Sequence, residues 1–297
     1  MLNRLLKIET RVNNEKHPTY KVVHALLDRM NFSFPVRING KMFWIPIIYG
    51  MGFYNFLQTE PWLVHLLKKI YSFSEGAFLD VGANVGQTLL RFKSLGLNIP
   101  YIGFEPNAGA YFYLTELIKK NHFNRCQVFP LALSDSNHLH AFYSRHRSDV
   151  SSTLLKNYKS FATDDSQQLI FTVSGDEILK ELGELTAGLI KIDVEGGELE
   201  VIRGLKGTLQ IQRPFVLVEI LPVYHLNSPN LRLRKKRQDI LLQEMFALNY
   251  SVFRVKKRGS LTAIKEIEVH SSLKDSNYLF VPDEKQESVR QIFEIVE

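Results

Sequence analysis

From residue 77 onward, short apolar runs alternate with segments patterned like helices. The runs are Ala77–Val81, Tyr101–Phe104, Val128–Leu133, Leu189–Val194 and Phe215–Ile220. Each is too short for a buried helix and bounded by turn-forming residues, so each reads as a buried strand. Between them, 85–95, 108–120 and 197–205 carry apolar residues at helical spacing. This alternation implies βαβ units and a mostly parallel sheet, and right-handed crossovers make the sheet doubly wound. The chain has 297 residues, 45% hydrophobic and 23% charged, enough for one large domain or two smaller ones. That excludes a disordered chain, a collagen-like chain and a small disulfide scaffold. Its single cysteine, Cys126, forms no intrachain disulfide and no multi-cysteine zinc site, which points to a reducing compartment.

The residues before 77 read differently. Val22, Val23, Leu26 and Leu27 suggest a helix within 1–30. Phe34 to Pro46 reads as two short strands around an Asn39-Gly40 hairpin turn. A loop with Gly50, Gly52 and aromatic residues comes next, then an amphipathic helix from Glu60 to Tyr71. Residues 1–75 are therefore expected to form an extension and 76–297 the main domain. Within the main domain, a polar stretch at 134–175 carries a strand pair near Leu139–Tyr143 and Leu169–Val173. Residues 221–237 read as a long connection ahead of a helix at 238–248, with strands at 251–255 and 278–281 and a terminal helix after it. No apolar run reaches 18 residues, and charges interrupt the apolar residues of Met1–Lys16, so neither a spanning helix nor a signal peptide is expected. The expected location is the cytoplasm.

The chemistry concentrates where the first strand of the main domain turns into a helix, at Asp80-Val81-Gly82-Ala83-Asn84-Val85-Gly86. Gly82 permits a tight turn and close approach of a ligand, and Gly86 lets the helix start lie near the strand. Open α/β sheets bind ligands at the carboxyl ends of their strands, which is where this loop falls. The dinucleotide pattern G-x-G-x-x-G is not met, and no Gly-Lys-Ser/Thr is present after it for a phosphate loop. Asp80 would repel a pyrophosphate and favour an ammonium or sulfonium. The pattern suits a cationic nucleotide without phosphate, S-adenosylmethionine. Glu105, 25 residues after Asp80 and just past the second strand, is placed to take ribose hydroxyls.

A second acidic cluster lies in Lys191-Ile192-Asp193-Val194-Glu195-Gly196-Gly197-Glu198. Asp193 and Glu195 would project at the same sheet edge as Asp80 and accept or orient a proton of a substrate hydroxyl. Glu198 reads as a complement to a helix N-terminus, and Lys191 as a partner to a nearby carboxylate. His225, in the loop after Glu219, is a candidate general base. No tight ligand spacing supports a metal site.

The segments FLDVGANVGQT, GFEPN, PLALSD, SGDEIL, LIKIDVEGGELEVIRG and VLVEILP resemble, in order and spacing, the FkbM family of S-adenosylmethionine-dependent methyltransferases. The likeness covers about residues 76–222, and KIDVEGGELEVIRG is its most specific part. It implies a Rossmann-like class I methyltransferase fold with a seven-stranded sheet, and methyl transfer usually to a hydroxyl oxygen of sugars or other small acceptors. It also implies that Asp80, Gly82, Asn84 and Gly86 form the methionine-side loop and that Glu105 binds the ribose. Ala132, Leu133 and Ser134 would lie near the adenine, with Asp193 and Glu195 at the transfer site. An aromatic set, Trp44, Tyr49, Tyr54 and Trp62, would serve either as a substrate lid or as the core of a small cap.

Other readings stay open. A nucleic-acid methyltransferase is one, although KIDVEG occupies the place of the Asn/Asp-Pro-Pro-aromatic motif of N-methylating enzymes. A catalytically inactive binding or scaffold module is another. The net charge of +6 separates them poorly. Residues 223–265 hold ten Lys or Arg against two acids, so the rest of the chain is slightly acidic. The densest run, Arg232 to Arg237, is either a solvated face or a docking element. As a docking element it would meet an anionic or lipid-linked glycan acceptor, with the protein peripheral at the inner membrane surface.

Overall fold

The computed structural model describes residues 31–56, 60–144, 153–155, 167–183, 185–256 and 259–296. The expected helix within 1–30 lies outside the described residues. A hairpin comes first, β1 (Asn31–Ile38) and β2 (Lys41–Ile48), joined at Asn39 and Gly40 with φ of 47° and 80°. Two successive left-handed residues are what a two-residue hairpin turn requires, and Asn-Gly supplies them. The strands run longer than the sequence suggests. Helix α1 (Pro61–Ile70) comes after a short 3-10 turn at Phe53–Phe56.

The main sheet is built from β3 (Ala77–Val81), β4 (Tyr101–Phe104), β5 (Cys126–Phe129), β9 (Ala187–Ile192), β10 (Phe215–Glu219), β11 (Tyr250–Val255), β12 (Leu261–Ile264) and β13 (Asn277–Pro282). Their order is β12-β11-β13-β10-β9-β3-β4-β5. The five strands from β10 to β5 are parallel, and β13 runs antiparallel to both its neighbours. Seven of these strands match the expected sheet; β12 adds an eighth at the edge, where the sequence shows only four residues of strand pattern. The chain leaves β3 toward β4 on one side and later returns through β9 to the other. The C-terminal ends of β3 and β9 therefore flank the switch point, where such sheets open a crevice.

Alternate side chains of the central strands feed two apolar layers. Phe78, Leu189 and Leu217 pack with α1, α2 (Gln87–Ser94) and α3 (Ala108–Lys120). Leu79, Ile190 and Val216 pack with α5 (Glu198–Gly204), α6 (Lys206–Ile211) and α7 (Pro229–Ala247). The hairpin joins the first layer through Ile38, Phe43 and Ile45. It is tied to α3 by the Tyr113 hydroxyl donating to the Pro46 carbonyl at 2.8 Å and by the Trp44 amide donating to Asn121 at 2.7 Å.

Two sequence expectations change. The strand expected over 128–133 divides. Pro130 has no N–H for the ladder. The chain leaves the main sheet at Phe129, and β6 (Ala132–Ser134) pairs with β8 (Gln167–Ser174). With β7 (His138–Tyr143) these form a separate three-stranded sheet, in which β7 and β8 are the expected strand pair. The long connection over 221–237 is mostly helix, because α7 begins at Pro229 rather than 238. Ser228 caps it by accepting from the Leu231 amide at 3.3 Å, and Pro229 sits in the first turn, where a missing N–H costs nothing. The remaining helices are α4 (Gly175–Glu181) and α8 (Gln286–Ile292). Among the described residues, no helix is long and apolar enough to cross a membrane.

Candidate active site

A cleft of about 620 Å³, including its open mouth, lies at the C-terminal ends of β3, β4 and β9. Gly82, Asn84, Glu105, Ala132, Leu133, Asp193 and Glu195 line it, so seven of the residues expected from sequence meet in one place. Glu105 is 6% exposed and pinned at both oxygens. Oε2 accepts from the Asn84 amide and Oε1 from the Asn107 amide, each at 2.8 Å. Its carboxylate thus ties the glycine loop to the end of β4 and still has lone pairs for hydroxyl donors.

Gly82 has φ +87°, and a Cβ there would fall 2.0 Å from the Asp193 carbonyl oxygen. The glycine is required first by the neighbouring backbone and only then by any ligand. Beside it the Asp193 amide donates to the Val81 carbonyl at 2.9 Å, which fixes the two strand ends together. Gly86, φ +79°, starts α2 against Leu114 and Leu117 of α3 and does not border the cleft. Ser134 likewise turns away: it is 3% exposed, and a Cβ on Gly204 would fall 1.8 Å from its carbonyl oxygen.

Asp80 lies beneath the cleft and is fully buried. The Tyr101 hydroxyl donates to its Oδ2 at 2.6 Å, while Oδ1 is buried with no hydrogen-bond partner. Burial pushes its carboxyl up to about 6, against the pull of Lys191 and Tyr101. Lys191 faces Asp80 in register across the β3–β9 pair and donates to Asp193 Oδ2 at 2.9 Å. Burial by itself would lower the Lys191 ammonium; Asp193, Asp80 and Glu60 outweigh it and hold the group above its ordinary range. Glu219, at the end of β10, completes the cluster. Burial and the nearby Asp193 raise its carboxyl to about 8, and the Ser276 hydroxyl donates to it at 3.0 Å.

The turn after β9 is held in an unusual shape. Glu195 has φ +54° and Gly196 φ +116°. A left-handed non-glycine residue stores of order 1 kcal/mol or more and persists only where its surroundings impose it. Here Thr153 Oγ1 donates to the Glu195 carbonyl at 2.8 Å, and Arg237 of α7 donates to the Gly196 carbonyl at 3.0 Å and to Glu200. Glu198 closes the turn by accepting from the Gly196 amide at 2.7 Å, and burial raises its carboxyl to about 7.

The structure does not bring His225 to the cleft. It is exposed, and its Nδ1 accepts from the Asn227 amide at 3.2 Å. Trp44 lies beside Asn121, past the far end of α3; the 13 residues of that helix span about 20 Å from the cleft-lining end. Tyr49 is exposed and Trp62 packs against the first apolar layer, while the side chain of Tyr54 lies outside the described residues. Phe104, Phe142 and Leu154 supply apolar walls that the sequence did not single out. Phe142 and Leu154 come from the polar stretch at 134–175, and only β7 and the Thr153 bridge to Tyr143 bring them over the cleft.

These raised carboxyls set a pH dependence. Asp80, Glu198, Glu105 and Glu219 keep their protons in the fold up to about 6, 7, 7 and 8, where the unfolded chain has already released them. The folded state therefore binds more protons between roughly pH 4.5 and 8, and stability falls as pH rises through that window. Thermal unfolding at fixed ionic strength should show a lower midpoint at pH 8 than at pH 5.5. A midpoint that rises across the interval would contradict the burial of this cluster.

The family model described as "Methyltransferase FkbM domain" matches residues 80–251. A curated relative, the hexuronic acid methyltransferase AglP of Haloferax volcanii, is 35% identical over 147 residues, 48% of this chain and 54% of the relative. The chain thus spans about half the length of the curated relative it matches. Among solved structures, an FkbM methyltransferase from Methylobacillus flagellatus is 16% identical with a TM-score of 0.42, over 69% of this chain and 43% of that one. Fibrillarin from Aeropyrum pernix, solved with S-adenosyl-L-methionine, is 11% identical with a TM-score of 0.41, over 86% of each chain.

Proposed function

Starting from the fact that the chain belongs to the FkbM methyltransferase family, we propose that it methylates a hydroxyl of a sugar acceptor, an acidic sugar above all, using S-adenosylmethionine. The observation that carries this reading is the convergence of Gly82, Asn84, Glu105, Asp193 and Glu195 on one cleft at the switch point of the sheet. The residues fit the cofactor. Apolar walls at Leu133 and Phe142 suit an adenine, and Glu105 presents a fixed carboxylate to ribose hydroxyls. Asp193 and Glu195 give a cation at this edge a negative field. The buried Asp80 Oδ1 is an acceptor in wait of a donor, supplied directly or through water.

When bound, S-adenosylmethionine supplies an electrophilic methyl group on a positively charged sulfur. Glu105, Asn84 and the apolar walls at Leu133 and Phe142 would hold it, and a carboxylate of the Asp193–Glu195 turn would take the proton of the acceptor hydroxyl as its oxygen gains the methyl group. The chain contributes chiefly by fixing the two reactants in line. Lys191 holds Asp193 in place, and Thr153 and Arg237 hold the turn that carries Glu195.

The basic run belongs to this proposal in narrowed form. Arg234 and Arg237 donate to the Pro222 and Gly196 carbonyls, so they brace the site from behind. Arg232 and Lys236 stay exposed on α7 and are the cations available to an anionic or lipid-linked acceptor, with the protein at the inner face of a membrane.

Calorimetric titration with S-adenosylmethionine tests the reading. Saturable binding is expected, and Glu105→Ala should weaken it by about 10- to 100-fold, the equivalent of one charge-assisted hydrogen bond at ~1.5–3 kcal/mol. A Glu105→Ala protein that melts like the parent and binds the cofactor equally well would remove Glu105 from the site.

A further inference from the structure

β10 and β11 both run antiparallel to β13, so they point the same way and α7 must run back between them. The N-terminal end of α7 therefore points past the strand ends that carry the cleft. The loop before it climbs along the helix, fastened at three levels. Gln238 Nε2 donates to the Leu221 carbonyl at 2.8 Å, Arg234 to the Pro222 carbonyl at 3.1 Å and Arg232 to the Leu226 carbonyl at 2.9 Å. Loop and helix start thus form one braced spur. Arg237, which donates to the Gly196 carbonyl, marks where α7 passes the turn at the cleft. Pro229 lies eight residues before it, so about 12 Å of helix extends past that contact.

The spur carries an unusual surface. Pro229, Arg232, Leu233 and Lys236 are exposed and follow the i, i+3, i+4, i+7 spacing of one helix face. Tyr224 and Leu226 stand out from the loop beside them. Tyr224, Leu226 and Leu233 are 47%, 45% and 58% exposed. Residues 220–238 contain no acid. Lys235 and Arg237 are paired with Asp239 and Glu200, whereas among the described residues Arg232 and Lys236 have no such acid. Cations alone would suit any polyanion. Leucines held out beside them gain nothing from phosphates in solution; they are satisfied where charge and hydrocarbon meet. That place is the surface of an anionic bilayer, where leucines enter the acyl boundary, a tyrosine sits at headgroup level and cations lie against phosphates. A spur seated there also brings the strand ends with Asp193 and Glu195 close to the surface that presents a lipid-linked acceptor. Resting on the reading above of an acceptor met at a membrane, we propose that residues 222–236 dock the protein on an anionic bilayer, with Tyr224, Leu226 and Leu233 entering its interface and Arg232 and Lys236 on its phosphates.

Flotation of the full chain with phosphatidylcholine vesicles, with and without about 30% phosphatidylglycerol, tests this. The parent protein should bind the anionic vesicles at least about tenfold more tightly than the neutral ones, and the excess should shrink as salt is raised. Tyr224→Ser combined with Leu226→Ser should weaken binding to the anionic vesicles about tenfold or more. Lys236→Glu, on the exposed helix face, should do the same through charge. These side chains are exposed and lie outside the cofactor cleft, so both variants should melt like the parent and keep its affinity for S-adenosylmethionine. Equal binding to the two kinds of vesicle, binding to neither, or anionic binding that survives both variants overturns the proposal. So does tighter binding of a single-stranded RNA oligonucleotide that is lost in the same variants, which would give the spur to nucleic acid. Failure of the parent protein to bind S-adenosylmethionine would instead strike the methyltransferase reading, while the vesicle result would still decide whether the spur docks on a bilayer.

Discussion

Lys191→Met is expected to destabilise the protein by about 3–5 kcal/mol, the usual cost of removing one partner from a buried charge cluster. Lys191 is 4% exposed and stands between Asp80, in register across the β3–β9 pair, and Asp193, to which it donates at 2.9 Å. Methionine fills nearly the same volume, so the loss is electrostatic and leaves no cavity. The carboxylates left behind must then hold their charge in an apolar setting or take up protons. Two further results should accompany it. The deficit should shrink at pH 5, where protonated carboxyls no longer need the ammonium. Adding Asp80→Asn to Lys191→Met should recover a substantial part of the loss, because the uncompensated charge beside the lost cation is then gone. Urea unfolding at pH 5 and pH 8 measures all of this. A Lys191→Met deficit under about 1 kcal/mol at pH 8 would mean that the cluster holds no such charge.

Gly82→Ala is expected to cost more than about 3 kcal/mol and to abolish cofactor binding in whatever folded fraction remains. Two penalties combine. The residue sits at φ +87°, where a Cβ costs about 1–2 kcal/mol. That Cβ would also lie 2.0 Å from the Asp193 carbonyl oxygen, a backbone atom that no side-chain rotation can move aside. The strand ends must part, and the bond from the Asp193 amide to the Val81 carbonyl breaks with them. Gly40→Ala separates the two penalties: φ there is +80°, but nothing lies within 4 Å of the added Cβ. It should show the conformational cost alone. Equal deficits for the two variants, read from denaturant midpoints, would show that the contact with Asp193 is not what requires glycine at 82.

Much of the site was legible because local rules and tertiary rules agree there. The runs 77–81 and 101–104 are strands with the bounds their sequence suggests, and 108–120 is a helix with Asn107 as its cap. Gly82, Asn84, Glu105, Asp193 and Glu195 meet because each lies just past the end of a strand in one parallel sheet, and parallel strands all end on the same edge. Glu105 was placed by that logic, although its bond to the Asn84 amide, which makes it a brace of the loop, was not.

The features hidden from the sequence lie where distant segments cross. The α7 start was obscured by Pro229, which reads as a loop residue until Ser228 is seen to cap it. With that helix in place, Arg234 and Arg237 of the basic run became braces for Pro222 and the Gly196 turn. Phe142 and Leu154 gave no local sign of lining a cleft, since nothing in their neighbourhood differs from an ordinary polar insertion.

By itself, then, the sequence determined the doubly wound sheet, the strand ends that carry the acidic and glycine residues, and the kind of ligand those residues suit. These rest on periodicity and turn chemistry, which act over a few residues. Only the tertiary structure decided that Asp80 is buried beneath the cleft on Lys191, that His225 stands outside it, and that the loop after β10 and the first turns of α7 rise together as a spur beside it. Those outcomes depend on which faces of separate elements meet, and burial, which sets the energy of every charge involved, exists only once they do.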